Sequence, residues 1–253
     1  MIDTDRLDRI HRRYLEQAAW TAGTRNRLLD RLPLAGARLL EVGAGTGAIA
    51  KELTTANRAT AVFALDLDLG VCRYGAHFAR LARWHCADAH ALPLATDSLD
   101  AVLFHYVLLW LDDPATALSE ASRVTRSGGW VFALAEPDHA ARLDFPDVLA
   151  RLGERQTAAL TAQGADVRMG RKLRWLFSAS GLADVTAGVL AGEWNSDLPP
   201  GPSALEWETL RADLGATVPA TDLDVLEDYD RDAWQRGERV LFVPTFYAAG
   251  RVT

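Results

Sequence analysis

The segment best suited to chemistry is a glycine-rich run, Glu41-Val42-Gly43-Ala44-Gly45-Thr46-Gly47, which follows the apolar pair Leu39-Leu40. Glycines at a strand end let a ligand approach the backbone where a side chain would collide with it. A helix predicted to begin near Thr46 would aim its free N–H groups and positive dipole end at that ligand. The run predicts a cofactor site, and its spacing also satisfies the dinucleotide fingerprint.

An acidic residue lies where such a site needs one. Asp66 ends the next apolar run and follows Gly47 at the separation of about 20 residues expected for a ribose-binding carboxylate. That placement suits NAD as well as an adenosyl sulfonium. The structural alternative is that Asp66 only caps the following helix.

Histidines and other polar side chains follow two later strands. Because ligands bind at the carboxyl ends of parallel strands, His105 and His139 are the candidate general bases. Each has a simpler interpretation: His105 as a wall residue bonded to the backbone, and His139 as a solvated loop residue. Tyr106 and Glu136 lie at the same strand ends and are candidate substrate contacts.

The elements that must position these groups alternate between strands and helices. Four apolar segments within residues 34–136 are each followed by a helix-like segment, which predicts parallel βαβ units in a doubly wound α/β sheet. Residues 1–33 predict two N-terminal helices ended by Pro33, and residues 137–182 predict a helical segment. We expect one domain spanning residues 1–253.

The C-terminal part, residues 183–253, predicts two last strands, DVTAGVLAG and RVLFVPTFYAAG. The insertion between them, residues 193–237, is far longer than hairpin loops of roughly 2–5 residues. Its helix formers predict helices over 203–214 and 222–235, with Trp207 and Trp234 as anchors. We expect these helices to form a cap over the carboxyl edge of the sheet and to enclose a small, partly apolar substrate.

Motifs beyond the glycine run identify a family resemblance. They are Asp88-Ala89-His90-Ala91-Leu92-Pro93-Leu94, Leu99-Asp100-Ala101-Val102, Trp110-Leu111-Asp112-Asp113-Pro114 and Arg123-Val124-Thr125-Arg126-Ser127-Gly128-Gly129. In this order, over about residues 36–136, the chain resembles class I S-adenosylmethionine-dependent methyltransferases. The likeness is strongest to the small-molecule group that includes ubiquinone and menaquinone methyltransferases. Glu41 stands where aspartate is commoner, and Leu94, Leu99 and Ser127 also depart from the usual pattern.

The resemblance implies a Rossmann-like seven-stranded sheet with an antiparallel last strand, N-terminal helices and a helical cap. It implies S-adenosylmethionine as cofactor and S-adenosylhomocysteine as product. The implied cofactor residues are Arg25, Glu41, Gly43, Ala44, Gly45, Gly47, Asp66, Leu67, Asp88, Ala89, Phe104 and His105. In such a site Arg25 would pair with the cofactor carboxylate unless it is only a surface residue. Tyr14, on the N-terminal segment, would contact the substrate.

Composition narrows the class of partner. The net charge is −7 and the isoelectric point is about 5.4, which disfavours nucleic acid as a partner. Cys72 and Cys86 are expected to be reduced thiols, and no metal site is expected. The absence of an apolar leader or spanning segment predicts a cytoplasmic protein, as a monomer or a homodimer. Alternative functions are a nicotinamide-dependent oxidoreductase and a non-catalytic methyltransferase-like binding protein.

Overall fold

The computed structural model describes residues 4–32, 35–55, 61–190 and 204–253. Its main feature is a mixed seven-stranded sheet of order β3-β2-β1-β4-β5-β9-β7, accompanied by a two-stranded ribbon of β6 and β8. The strands are β1 (Arg38–Val42), β2 (Ala61–Asp66), β3 (Arg83–Cys86), β4 (Leu99–His105), β5 (Thr125–Pro137), β6 (Leu143–Phe145), β7 (Ala183–Leu190), β8 (Val240–Phe242) and β9 (Thr245–Arg251).

Eight α-helices are described, and they flank the sheet or lie across its carboxyl edge. They are α1 (Thr4–Leu29), α2 (Ala48–Thr55), α3 (Leu69–Phe78), α4 (Pro114–Val124), α5 (Asp147–Ala162), α6 (Met169–Ala179), α7 (Ala204–Leu214) and α8 (Ala220–Gln235). Short 3₁₀ helices cover Leu108–Trp110 and His139–Ala141.

The sheet confirms the predicted architecture. Strands β1 to β5 run parallel, while β9 is antiparallel to both β5 and β7. The central strand β4 is apolar without alternation because each face of the sheet is covered by its own hydrophobic cluster. All the parallel strands end at the same edge, which places Gly43, Asp66 and His105 together there.

The N-terminal region is one helix, so the prediction of two helices was wrong. Helix α1 runs for 26 residues and passes through Gly23 without a break. A glycine inside a helix costs only about 1 kcal/mol. Burial of Thr21, Arg25 and Leu28 on the core side holds the helix together at that point. Pro33, the predicted terminator, lies outside the described residues.

Two strand boundaries also differ from the prediction. Glycines commonly end helical units, and the sequence predicts such an end at Gly128-Gly129, but strand β5 begins earlier, at Thr125, and runs through both glycines. The final apolar run is two strands and not one. Pro244 lacks an N–H, so pairing is interrupted there, and β8 leaves the main sheet to pair with β6.

The insertion folds as predicted where it is described. Helices α7 and α8 match the predicted helices closely, and residues 193–203 of the insertion lie outside the described residues. Trp207 and Leu223 join a third hydrophobic cluster that reaches Leu152 of α5. The indole N–H of Trp207 donates to Asp230 at 2.9 Å, tying α7 to α8. We call α7 and α8 the roof.

Candidate active site

The turn after β1 has a backbone that requires glycine. Gly43 and Gly45 have φ angles of +66° and +53°, in the left-handed region that favours glycine. A Cβ on Gly43 would lie 2.3 Å from Val107, and one on Gly45 would lie 2.5 Å from the ring of Tyr14. The turn is therefore closely packed at the carboxyl edge of the sheet, and the N–H groups of Ala44 and Gly47 donate to the carbonyls of Leu65 and Ala44. Gly47, with φ +85°, instead faces Trp84 and Ala79 of the layer behind it.

Asp66 connects the end of β2 to the glycine turn. Its Oδ2 accepts the Gly45 N–H at 2.9 Å, and its Oδ1 accepts the Asp68 N–H at 3.1 Å. Asp68, not Asp66, caps α3 by accepting from Gly70 and Val71. The alternative that Asp66 is a helix cap is thus wrong. Its carboxylate orients the turn from the side where a ribose-binding acid is expected.

The predicted adenine contacts lie beyond Asp66 along the same edge. Leu67 is 73% exposed, an unusual degree for a leucine beside a sheet. Asp88 accepts hydrogen bonds from both the backbone N–H and the Nδ1 of His90, and these contacts lower the pKa of Asp88. Ala89 is buried behind it. The sequence did not indicate that His90 would hold Asp88.

Glu41 is a buried carboxyl with an unmet hydrogen-bonding capacity. The residue is 3% exposed, and burial raises the pKa of its side chain to about 8. Among the described residues, no partner reaches its Oε2. Glu41 also lines the main cavity beside Gly43 and Ala44. A ligand with a cationic donor group would satisfy this oxygen and favour the ionised form.

A single cavity of about 580 Å³ runs from the glycine turn to the roof, within the usual size range for small-molecule sites. Its walls come from α1, the glycine turn, the ends of β4 and β5, the roof and the segment around β8. The lining residues include Arg13, Tyr14, Glu41, Gly43, Ala44, His105, Tyr106, Trp110, His139, Leu160, Glu206, Trp234, Leu241, Phe242 and Val243.

His105 lies in this wall and is held by α1. Its Nε2 is 2.9 Å from the Thr21 hydroxyl, which donates to the Gln17 carbonyl at 2.8 Å. Because the one hydroxyl proton is used there, Thr21 accepts from His105 Nε2–H, and Nδ1 carries the lone pair. Burial, aided by the charge of Arg25, lowers the pKa of His105 to about 3. The ring is therefore a neutral wall residue and a weak base.

Arg25 does not reach the cofactor site, contrary to the expectation. Its guanidinium forms a buried ion pair with Glu52 of α2 and donates to Thr21 Oγ1 and the Ala18 carbonyl. The residue is fully buried and is not part of the cavity wall. A buried guanidinium requires a carboxylate, and Glu52 supplies it from the neighbouring helix.

Phe104 and Glu136 are likewise structural. The Phe104 side chain is fully buried in the core cluster with Val102 and Val131, and does not close over the ligand. Glu136 accepts backbone N–H bonds from Val107, Leu108 and Leu109 at 3.0–3.2 Å. It therefore anchors the 3₁₀ segment whose Val107 packs on Gly43, and it does not line the cavity.

The two tyrosines lie in the cavity wall. Tyr14 packs on Gly45 at the glycine end, although it was predicted to contact substrate. Tyr106 has a φ of +57°, a strained conformation for a bulky residue. Its backbone N–H donates to Ala135 at 2.9 Å, and burial raises the pKa of its phenol. The strain turns the chain at the end of β4 so that both His105 and Tyr106 line the cavity.

The far end of the cavity carries three polar side chains. His139 is neutral because burial lowers its pKa to about 4, and its Nδ1 is buried with no partner among the described residues. Trp234 on α8 has an indole N–H in the same situation. Glu206 on α7, which sequence reasoning missed, has its pKa raised to about 7 by burial. No motif surrounds Glu206, so only the packing of α7 reveals it.

Comparison with known families identifies the central region. The family described as "Methyltransferase domain" matches residues 40–133, which contain the glycine turn, Asp66 and Asp88. Residues 40–133 are similar to the methyltransferase domain family, and this match covers less than half of the chain. This result confirms the resemblance for the part of the chain that carries the motifs.

Curated relatives match the same methyltransferase region. A malonyl-[acyl-carrier protein] O-methyltransferase of Halorhodospira halophila is 39% identical over 125 residues, covering 47% of this chain and 42% of the relative. A demethylmenaquinone methyltransferase of Corynebacterium urealyticum is 40% identical over 110 residues, covering 44% of this chain and 45% of the relative. The chain thus spans less than half the length of these relatives.

Solved structures share the fold over nearly the whole chain. Geranyl diphosphate C-methyltransferase from Streptomyces coelicolor, in complex with Mg²⁺, geranyl diphosphate and S-adenosylhomocysteine, superposes with a TM-score of 0.55 at 16% identity. The alignment covers 92% of this chain and 78% of that one. The YcgJ protein from Bacillus subtilis gives 0.57 at 18% identity, covering 90% and 97%. At such identities the likeness shows the fold alone.

Two further observations concern groups discussed from the sequence. Cys72 and Cys86 are both free thiols, the first buried and the second exposed. Within the described ranges, no helix combines the length and the apolar character needed to cross a bilayer.

Proposed function

We propose that this protein transfers a methyl group from S-adenosylmethionine to a small, partly apolar acceptor. The observation that carries the proposal is the single cavity that joins the glycine turn to the roof. Because this cavity is continuous, a methyl donor at the glycine turn would meet an acceptor bound towards the roof. The family match supports the cofactor, and relatives named for demethylmenaquinone and for malonyl-[acyl-carrier protein] support diverse acceptors.

The described residues suit the cofactor in chemistry and position. The backbone of Gly43, Ala44 and Gly45 would line the methionyl part, and the unmet Oε2 of Glu41 would accept from its amino group. Asp66 would hold the ribose hydroxyls. The exposed face of Leu67 would meet the adenine, with Asp88 and Ala89 at its edge.

S-adenosylmethionine supplies a methyl group already activated on a sulfonium. The protein's contribution is then chiefly proximity and alignment. Tyr14 and Tyr106 form part of the cavity wall near the turn. Thr21 holds His105 through Nε2, so the Nδ1 of His105 can only accept a hydrogen bond. His139, neutral and unpartnered, is the stronger candidate for accepting a proton from the acceptor.

Calorimetry tests the proposal directly. S-adenosylhomocysteine should bind with measurable affinity, and NAD should not, because the buried Glu41 carboxyl beside the glycine turn would accept from an amino group but would repel the pyrophosphate of NAD. Binding of NAD with no binding of S-adenosylhomocysteine would instead support an oxidoreductase. Cofactor binding without transfer of labelled methyl to any acceptor in a broad screen would support a non-catalytic role.

A further inference from the structure

The far end of the cavity holds a mixed set of hydrogen-bonding groups on apolar walls. His139 follows β5, Glu206 lies on α7 and Trp234 lies on α8, so three separate elements contribute polar side chains to this cavity. Around them the walls are formed by Trp110, Leu160 and the Leu241–Val243 segment. The polar groups are therefore few and set in a largely apolar site, which is the usual composition of a specific small-molecule pocket.

Two of these groups lack a hydrogen-bond partner within the described ranges of the chain. His139 Nδ1 and Trp234 Nε1 are buried and have no partner among the described residues. Buried polar atoms normally have partners, because an unmet one costs about 1–3 kcal/mol. Because both residues lie on the cavity wall, a bound ligand would supply the missing hydrogen-bond partners.

Glu206 is similarly left to the cavity. The nearby arginines are already neutralised, since Arg142 pairs with Asp144 at 2.5 Å and Arg239 pairs with Asp144 and Asp230. Within the described part of the chain, Glu206 forms no ion pair. Near neutral pH its buried carboxyl is partly protonated, so it can both donate and accept.

The set discriminates between ligand charges. A carboxylate or phosphate offers only acceptors, so it would leave Glu206 and His139 without a donor. Glu206 would repel it when ionised, against the attraction of Arg13, which also lines the cavity. An ammonium offers only donors and would leave the Trp234 N–H unmet. A hydroxyl accepts from Trp234 and donates to Glu206 or His139, so it matches the mixed set with one small uncharged group.

We propose that the methyl acceptor is an uncharged, apolar molecule carrying a hydroxyl group, and that His139, Glu206 and Trp234 bind that hydroxyl. This inference rests on the proposed function, because it assigns the acceptor end of the same cavity. Trp234 and Glu206 are specificity-determining residues in this view, and the aromatic and aliphatic wall from Trp110 to Val243 receives the apolar body.

The test compares four probes of similar size on the protein saturated with S-adenosylhomocysteine. The probes are 2-naphthol, 2-methylnaphthalene, 2-naphthoate and 2-naphthylmethylamine, with affinities measured by calorimetry. We expect 2-naphthol to bind about tenfold more tightly than each of the others, the scale of leaving buried polar groups unmet. Tighter binding of the anion, the cation or the hydrocarbon overturns the proposal, as does undetectable binding of 2-naphthol.

Two matched variants test whether the roof residue Trp234 causes the preference for 2-naphthol. Trp234→Phe should weaken 2-naphthol by about three- to tenfold and leave 2-methylnaphthalene unchanged. Trp207→Phe is the control, since its N–H is spent on Asp230 and it does not line the cavity. Equal effects of the two variants on 2-naphthol contradict the proposal.

The affinity for S-adenosylhomocysteine distinguishes a failure of the proposed function from a failure of the proposed hydroxyl site. We expect both variants to keep it within about twofold of the parent protein, because neither residue contacts the glycine turn. If S-adenosylhomocysteine fails to bind the parent protein, the proposed function fails. The same four probes on the protein alone then still decide whether the far end selects a hydroxyl.

Discussion

The two ends of the cavity are built on different principles. The proposed cofactor half, comprising residues 41–47, 66–67 and 88–89, uses turn backbone and short acidic contacts within the matched region 40–133, and Glu41, Gly43 and Ala44 of this half line the cavity. The proposed acceptor half, comprising His139, Glu206, Trp234 and the Leu241–Val243 segment, lies wholly outside that region and uses side chains from elements far apart in the chain.

This contrast explains why the family match ends where it does. The backbone of the turn would bind the same cofactor whichever acceptor is methylated. The sequence of the turn is therefore constrained by its local backbone conformation. Side chains on a separate insertion can change with the acceptor without disturbing the turn. A shared cofactor half combined with a distinct acceptor half is thus the physical basis for assigning the reaction class and the acceptor from different observations.

The largest expected effect is at the turn itself. Gly45→Val should weaken S-adenosylhomocysteine binding by at least about 100-fold, because a branched side chain is strained at this φ and would collide with Tyr14. Calorimetry measures the loss, and Gly23→Ala on α1, with open space around its Cβ, is the control. Unaltered binding in Gly45→Val would show that the cofactor half lies elsewhere.

Asp66→Ala should weaken S-adenosylhomocysteine binding by about 1.5–3 kcal/mol, the scale of hydrogen bonds to a charged group. Asp68→Ala removes the cap of α3 and should cost about 1 kcal/mol of unfolding free energy while leaving affinity nearly unchanged. The dissociation constants of the two variants, measured together, separate a ligand contact from a helix cap. Equal losses of affinity would remove Asp66 from the cofactor half.

Glu41 should make cofactor binding depend on pH. Its pKa is about 8 in the free protein, so a ligand amino group that favours the carboxylate must displace a proton near neutral pH. Affinity for S-adenosylhomocysteine should rise about tenfold between about pH 6 and pH 8, with proton release measured by calorimetry in two buffers. Glu41→Gln should abolish this dependence. If the pH dependence of affinity persists in this variant, another titratable group causes it.

The Glu41 carboxyl has the opposite effect on the unfolding free energy of the free protein, which should fall as pH rises. Because the folded pKa of Glu41 is raised, its contribution to unfolding free energy is fully present below about pH 4.5 and is lost as pH rises through about 8. Glu41→Gln should therefore flatten the fall in stability of the free protein across that window, as measured by denaturant unfolding.

The smallest expected change in cofactor affinity is at Arg25. Arg25→Met should reduce unfolding free energy by about 1–3 kcal/mol, a discounted value because Glu52 is partly exposed. S-adenosylhomocysteine affinity should stay within about twofold of the parent value. A tenfold loss of affinity with little loss of stability would return Arg25 to the cofactor half.

The sequence by itself determined the sheet, the glycine turn and the position of Asp66. Strand runs with both faces apolar and a left-handed turn that requires glycine are local properties, readable without knowing which segments meet. The helices of the insertion were also predictable, because helix formers and apolar spacing are local.

Only the tertiary structure decided which polar groups meet the cavity. Arg25 and Glu136 carry suitable charges at suitable places, yet Glu52 neutralises the first and three backbone N–H groups hold the second. Glu206 has no motif and reaches the cavity only because α7 packs over it. A polar group takes the partner that burial brings near it, and that partner can lie anywhere along the chain.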